Sequence, residues 1–394
     1  MGKLFVGCFL LLSNVFLQAQ QATNLRRATP LAAIPFKILS GGIILIEAKI
    51  SGYKDTLNFI FDTGSGSISI DSTTVALLAI PTKQSDRKIK GIGGSKKIEI
   101  VDSLHFKMQN IILPNTELFI ADYTNISEYY GVKIDGIVGY NFIHKYVLKI
   151  NYDVNKIFVY PIANYKYGIG RTVPLRIAGI PTFTATVADA KTIKGNYIFD
   201  TGGDMQLMLA ENFTNDSLII NRKRKPVETF AEGFGGRTSM MLTVVKKMEF
   251  AGYTFKNVPT FIYNDSINVI NYPNRHGIIG NEIGKRFNVI LNYSKSEMHI
   301  VPNKNFSLPF YYGYSGLDLY LIDKEIYAGS IGKGSPAESA GILQNDHILG
   351  IGVNFSNNIS EYKDLLEKEN EYLNIFVERN KKPVLLKLKV GTYR

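Results

Sequence analysis

The tripeptide Asp-Thr-Gly occurs twice, as Asp62-Thr63-Gly64 and Asp200-Thr201-Gly202, each ending an apolar run (Phe59-Ile60-Phe61 and Tyr197-Ile198-Phe199). A single carboxylate on a loop is ordinary. Two copies of one loop, 138 residues apart, imply a duplicated unit whose pseudo-dyad would set the loops face to face. Carboxylates held that close cannot both ionise, so they share a proton and divide the acid and base roles. Such a pair can take a proton from water while protonating a peptide carbonyl, without a metal or a covalent intermediate. Asp62 and Asp200 are therefore the candidate catalytic residues. Gly64 and Gly202 permit a tight turn with amide N–H groups aimed at the carboxylates, and Thr63 and Thr201 can hydrogen-bond across the dyad.

The elements that must position these loops are duplicated too. Gly91-Ile92-Gly93-Gly94 is matched by Gly233-Phe234-Gly235-Gly236, and Asp135-Gly136-Ile137-Val138-Gly139 by His276-Gly277-Ile278-Ile279-Gly280. Each set is followed by an apolar strand pair ending at Pro161 or Pro302. The landmarks keep their order at separations of 138 to 142 residues, and an internal repeat of this kind decides the architecture. Residues 36–163 and 171–303 read as two β-rich lobes. Ile43–Ile50 and Thr56–Phe61 flank a turn at Ser51–Asp55, and Thr182–Val187 alternates like a half-buried strand. Helical signals are few, as at Thr73–Leu78. The glycine-rich tips have few side chains to pack and should be mobile. After Pro302 the pattern changes, and 310–394 reads as a third unit. It has a helix over Glu361–Tyr372 capped by Ser360, then a hairpin of Leu373–Glu378 and Val384–Val390 around Asn380–Pro383. The expected fold class is all-β: two duplicated lobes followed by a small β domain with a short helix or two.

Composition narrows the function classes. A chain of 394 residues with 45% hydrophobic content supports two or three packed domains. The net charge of +11 is spread over scattered lysines. The dense run Arg222–Lys225 reads as a solvated loop, and no basic face interleaved with aromatics points to nucleic acid. Lys3 followed by the apolar stretch Leu4–Leu17 and small residues near Ala19 reads as a signal peptide over 1–20. That implies a secreted or periplasmic protein. The stretch is too short to span a bilayer comfortably, and no later segment offers a transmembrane anchor. Cys8, the one cysteine, lies inside the apolar stretch, so a cleaved chain would carry no disulfide, no reactive thiol and no cysteine zinc site. The five histidines show no metal-ligand spacing. Gly64-Ser65-Gly66-Ser67 lacks the final Gly of a nucleophile elbow, Gly329–Gly334 lacks the Lys-Ser/Thr of a phosphate loop, and no dinucleotide fingerprint is present. No metal and no cofactor are expected.

These motifs resemble those of pepsin/retropepsin-like aspartic proteases, over residues 36–303. Asp-Thr-Gly at Asp62 and Asp200 resembles the catalytic loops, and Ile137-Val138-Gly139 and Ile278-Ile279-Gly280 resemble the apolar-apolar-Gly element that threads behind each loop. The segments at Gly91, Ile92, Gly93 and Gly94 and at Gly233, Phe234, Gly235 and Gly236 resemble glycine flap tips. One chain would hold both halves, as in pepsin, yet keep two glycine flaps with no flap Tyr; a monomer then suffices. The resemblance implies that Ser65 hydrogen-bonds its carboxylate and favours the ionised form. Gly203 offers no such hydroxyl, which implies an optimum less acidic than pepsin's. Asp204 and Met205 depart from the family's small residues, and His276 stands where the first lobe has Asp135. The third unit resembles a PDZ domain of bacterial periplasmic proteases, with Ile331–Ile342 and Asn345–Leu349 as its matching segments. Gly316, Leu317, Asp318 and Leu319 stand at its peptide-binding loop, and such domains take an extended peptide onto a sheet edge. The implied function is an aspartic endopeptidase acting on protein or peptide substrates. The alternative is a catalytically silent peptide-binding protein that retains the cleft and the PDZ domain; two intact triplets favour the enzyme.

Overall fold

The computed structural model describes residues 23–394, so the leader expected at 1–20 lies outside the described residues. Two-residue strands aside, the first half runs through β1 (Ala32–Ile38), β2 (Ile44–Ile50), β3 (Leu57–Phe61), β4 (Ile68–Asp71), β5 (Lys83–Gly91), β6 (Gly94–Met108), β7 (Ile111–Ala121), β8 (Gly136–Val138), β9 (Val147–Asn151) and β10 (Lys156–Tyr160). The second half runs through β11 (Arg171–Pro174), β12 (Thr182–Ala188), β13 (Thr192–Asp200), β14 (Leu207–Ala210), β15 (Val227–Gly233), β16 (Gly236–Phe250), β17 (Tyr253–Tyr263), β18 (Gly277–Gly280), β19 (Phe287–Asn292) and β20 (Glu297–Pro302). The fold is all-β, and the halves repeat one topology. Strands pair in the order β2-β3-β8-β4-β7-β6-β5 in the first half and β12-β13-β18-β14-β17-β16-β15 in the second. The closing contacts β2–β6 and β12–β16 recur as well.

The strands that carry the Asp-Thr-Gly loops end in apolar runs, Phe59–Phe61 and Tyr197–Phe199, because there each is covered on both faces. Phe59, Phe61 and Tyr197 are fully buried. β3 pairs parallel with β8, and β13 parallel with β18. Gly136 is needed where β8 passes β4, since a Cβ there would lie 2.1 Å from the Ser69 carbonyl oxygen. The remaining strands join the halves in one ladder ordered β11-β20-β19-β9-β10-β1, with Leu148 opposite Leu291 and Ile150 opposite Val289.

Short helices follow equivalent strands. α1 (Ser72–Leu77) starts after β4 with Asp71 as its N-cap, and α4 (Glu211–Ser217) starts after β14. α3 (Tyr140–Ile143) and α5 (Asn281–Gly284) follow β8 and β18. Between them in the first half lies α2 (Thr124–Tyr130), which ends at the left-handed Gly131 and has no counterpart in the second half. Phe306 and Phe310 pack on the core shared by the halves, and the carbonyls of Phe306, Leu308 and Pro309 accept from the buried Arg286 guanidinium.

The chain then forms a five-stranded sheet, β21 (Leu317–Ile322), β22 (Glu325–Ile331), β23 (His347–Ile351), β24 (Tyr372–Arg379) and β25 (Lys382–Lys389), paired in sequence order. It has its own core around Leu319, Ile326, Ile348, Ile375 and Leu388. α6 (Pro336–Ser339) and α7 (Ile359–Leu366) flank it. α7 is shorter than the sequence pattern implies. Its cap is Asn358, whose side chain accepts from the Ser360 and Glu361 N–H groups, and its apolar stripe of Ile359, Tyr362 and Leu366 stops there. The hairpin turn is the pair Asn380-Lys381 at positive φ, as two-residue hairpins require, so Lys382 and Pro383 belong to β25 rather than to the turn. The basic run at Arg222–Lys225 is not wholly solvated, because Arg224 pairs with the buried Asp189 at 3.1 Å.

Candidate active site

The ends of β3 and β13 bring Asp62-Thr63-Gly64 and Asp200-Thr201-Gly202 together. The threonines interlock the loops. The Thr63 N–H donates to Thr201 Oγ1 at 3.1 Å and the Thr201 N–H to Thr63 Oγ1 at 3.0 Å. Each hydroxyl in turn donates across to a strand-end carbonyl, Thr63 Oγ1 to Phe199 O at 2.6 Å and Thr201 Oγ1 to Phe61 O at 2.7 Å. All four bonds are buried. Within each loop the glycine N–H donates to its own aspartate, Gly64 to Asp62 Oδ1 at 2.6 Å and Gly202 to Asp200 Oδ1 at 2.8 Å.

The carboxylates cross-pack. A Cβ at Gly64 would lie 2.7 Å from the Asp200 carboxyl carbon, and one at Gly202 would lie 2.4 Å from that of Asp62. The two acids are partly accessible but sit deep in the molecule. Burial, then the Asp200 charge and carboxyl hydrogen bond, hold Asp62 well above the usual carboxylate range. Burial also raises Asp200, against the pull of its hydrogen bonds from Asp62 and from the Gly202 N–H. One proton shared by the pair is the state these environments favour.

The Ser65 hydroxyl does not reach the carboxylate as the resemblance implied. It donates to Ser67 O at 3.3 Å, and the backbone N–H groups of Gly64 and Ser65 take that role for Asp62. Asp135 and His276 are structural equivalents of each other. Asp135 Oδ2 accepts from the Asn58 N–H at 2.7 Å, and His276 Nδ1 accepts from the Asn196 N–H at 3.1 Å. A carboxylate and a neutral imidazole thus satisfy the same backbone donor, and burial depresses the His276 pKa accordingly.

The two glycine segments are hairpin tips that meet each other. The Gly235 N–H donates to Ile92 O at 2.8 Å. Close approach requires glycine here: a Cβ at Gly93 would fall 2.0 Å from Gly236 O, and one at Gly235 1.8 Å from Gly94 N. Gly91 and Gly233 begin the tips, and Phe234 packs on the apolar cluster that includes Leu39, Ile126, Tyr130 and Val132.

Sequence reasoning missed two groups beside the loops. Tyr130 donates to Asp204 Oδ2 at 3.1 Å, so the acidic departure after the second triplet is a partnered side chain. Asp71, fully buried, accepts from the Tyr123 N–H at 2.9 Å and pairs with Lys133; burial pushes its pKa up, but these partners prevail and it is lowered. The signal for Asp71 was its place ahead of Ser72 as a helix cap. In the third sheet, Gly316 is left-handed against Ser335, Leu317 and Leu319 are core residues, and Asp318 faces Arg237 of the second hairpin. Among the described residues no group of His, Cys, Asp and Glu is arranged to hold a metal ion, and no helix is long and apolar enough to cross a membrane.

A family model described as aspartyl protease matches residues 46–142. The match takes in Asp62, the first hairpin tip and Ile137-Val138-Gly139, and supports a protease-type function. No curated protein matches the chain.

Proposed function

We propose that the protein is an aspartic endopeptidase whose two lobes, in one chain, supply Asp62 and Asp200 as a single catalytic pair. One observation carries the reading: two topologically equivalent loops present carboxylates to each other, bound together by reciprocal threonine hydrogen bonds. In the shared-proton state one carboxylate takes a proton from a water held between them, and the other gives its proton to the scissile carbonyl. The water oxygen bonds to carbon. The carboxyl that took the water's proton then gives it to the amide nitrogen as the C–N bond breaks, and the other carboxylate takes back the proton of one hydroxyl as the carbonyl re-forms, so the acid and the amine leave and the pair again holds one proton. Ile92 and Phe234 at the hairpin tips would cover the bound peptide. The PDZ-like unit is taken as an accessory of this machine, and the apolar N-terminal stretch points to a secreted or periplasmic setting.

The test is cleavage of casein and of denatured protein across pH, with and without a statine-type inhibitor, for the wild type, Asp62→Asn and Asp200→Asn. Inhibitor-sensitive cleavage by the wild type alone supports the reading. Binding of the inhibitor without any cleavage would favour the silent peptide-binding alternative.

A further inference from the structure

The groove that the PDZ resemblance reserves for a peptide, between β21 and α7, is filled by the chain itself. β21 is the edge of its sheet. The end of α2 lies against it. A Cβ at Gly131 would come 2.6 Å from Ile359 Cγ2 on α7 and 3.4 Å from Leu321 Cδ2 on β21. Lys363 of α7 donates to Tyr129 O at 2.6 Å, and its ammonium sits 3.1 Å over the Tyr129 ring. Tyr129 also meets Tyr320 edge to face at 6.1 Å.

Two connections run from this contact to the active site. Tyr130, next to the docked Tyr129, holds Asp204 on the second Asp-Thr-Gly loop. The side chains of β21 hold the second hairpin. Asp318 pairs with Arg237, and Tyr320 donates to Glu232 Oε1 at 2.6 Å. Arg237 stacks 4.4 Å over Phe230, and Tyr314 donates to Glu228 O at 2.7 Å. Residues of β15 are accordingly half-buried along their whole length, while β5 in the first hairpin is mostly exposed.

We propose that the β21–α7 groove is an internal docking site for Tyr129–Gly131 of the same chain, and that this docking makes Lys363, Tyr130 and Arg237 positioning residues for the second half of the active site. The second hairpin is then a fixed wall of the cleft and the first is the gate. The turnover part of this inference rests on the peptidase reading; the docking part does not.

The test uses the full chain in a Cys8→Ser background carrying Gly131→Cys and Ile359→Cys. An ideal Cβ at Gly131 lies 3.8 Å from the Ile359 Cβ, the usual span of a disulfide. The expected result is a disulfide that forms in the folded protein under mild oxidation, with peptide turnover equal in the oxidised and reduced forms. Failure of the bond to form in a protein that melts cooperatively would overturn the docking. An oxidised form that is inactive until reduced would overturn the assignment of the docked state as the working one. Hydrogen exchange on Lys363→Met provides an arm independent of activity and of the cysteine pair. Exchange should rise in 227–237 and stay unchanged in 83–91; equal changes in both hairpins would refute the asymmetry. In turnover, Lys363→Met should lower kcat by about 10- to 100-fold with KM little moved, as a distant misplacement of the catalytic loop does, and Lys363→Arg should recover most of it.

Discussion

Replacing Thr201 by valine keeps the shape of the side chain and removes its oxygen. That oxygen donates to Phe61 O at 2.7 Å and accepts from the Thr63 N–H at 3.1 Å, and Thr201 is wholly buried. The substitution therefore strands one backbone donor and one backbone acceptor where water cannot reach them. Each stranded group costs about 1–3 kcal/mol, so Thr201→Val should lose about 2–6 kcal/mol of stability with no cavity to add. Thr63→Val strands a different pair, the Thr201 N–H and Phe199 O. If the loops stayed fixed, the double variant would lose the sum. Once one bond set is gone, however, the loops can separate and admit water, so the double variant should lose less than the sum, and the coupling is measured by a double-mutant cycle. The assays are urea denaturation of all four proteins and kcat of each on a short peptide. Turnover should fall by at least about tenfold in either single variant, since the threonines set the distance between carboxylates. A loss below about 0.5 kcal/mol with unchanged kcat would refute the claim that these hydroxyls bind the loops together.

Other outcomes follow from the same site. Asp62→Asn and Asp200→Asn should each abolish cleavage, measured on casein, without lowering the melting temperature at neutral pH. The sign is fixed by the raised carboxylates: the folded state holds protons that the unfolded state releases above its ordinary pKa, so this contribution to stability is full at low pH and is lost as pH rises through the folded values. Melting curves of the wild type should fall from acid to neutral pH by a component that Asp200→Asn removes, each unit of upward shift being worth about 1.4 kcal/mol. Cleavage should fail on the alkaline side as the shared proton leaves, seen as a descending limb in kcat against pH. Gly64→Ala and Gly202→Ala should be folded and inactive, because the new methyl enters the space of the opposite carboxyl. A chain ending at residue 303 should be less stable than one ending at 310, by about 3–5 kcal/mol in urea melts, because the buried Arg286 loses the three carbonyls that hold it.

The repeat was readable because it is written in residues with no substitutes. Glycine at Gly91, Gly93, Gly233 and Gly235 of the hairpin tips and behind the Asp-Thr-Gly loops is dictated by approaches that no Cβ survives, and Gly236 by its positive φ, and so glycine recurs at matched positions. The sheet that unites the halves was legible only as apolar strand pairs; which strand lies beside which is set by register over more than a hundred residues. Ser65 misled because its hydroxyl has a nearer acceptor in Ser67 O. Asp135 and His276 look like different chemistry in sequence and serve one backbone donor in space. The contact of α2 with the third unit had no local sign: the helix itself was not read from the sequence, and Tyr129 and Gly131 at its end carry no motif.

The ladder that joins β9 to β19 also sets an order of events during synthesis. β9 is complete at Asn151, and its partner begins at Phe287. At about 5–20 residues per second, the ribosome leaves the Leu148–Ile150 edge without its neighbour for on the order of ten seconds. An open apolar edge is a template for pairing with another nascent chain. The molecule is therefore most exposed to aggregation midway through its own translation, and a message broken between the two halves would yield a fragment that sticks to its siblings rather than a soluble half.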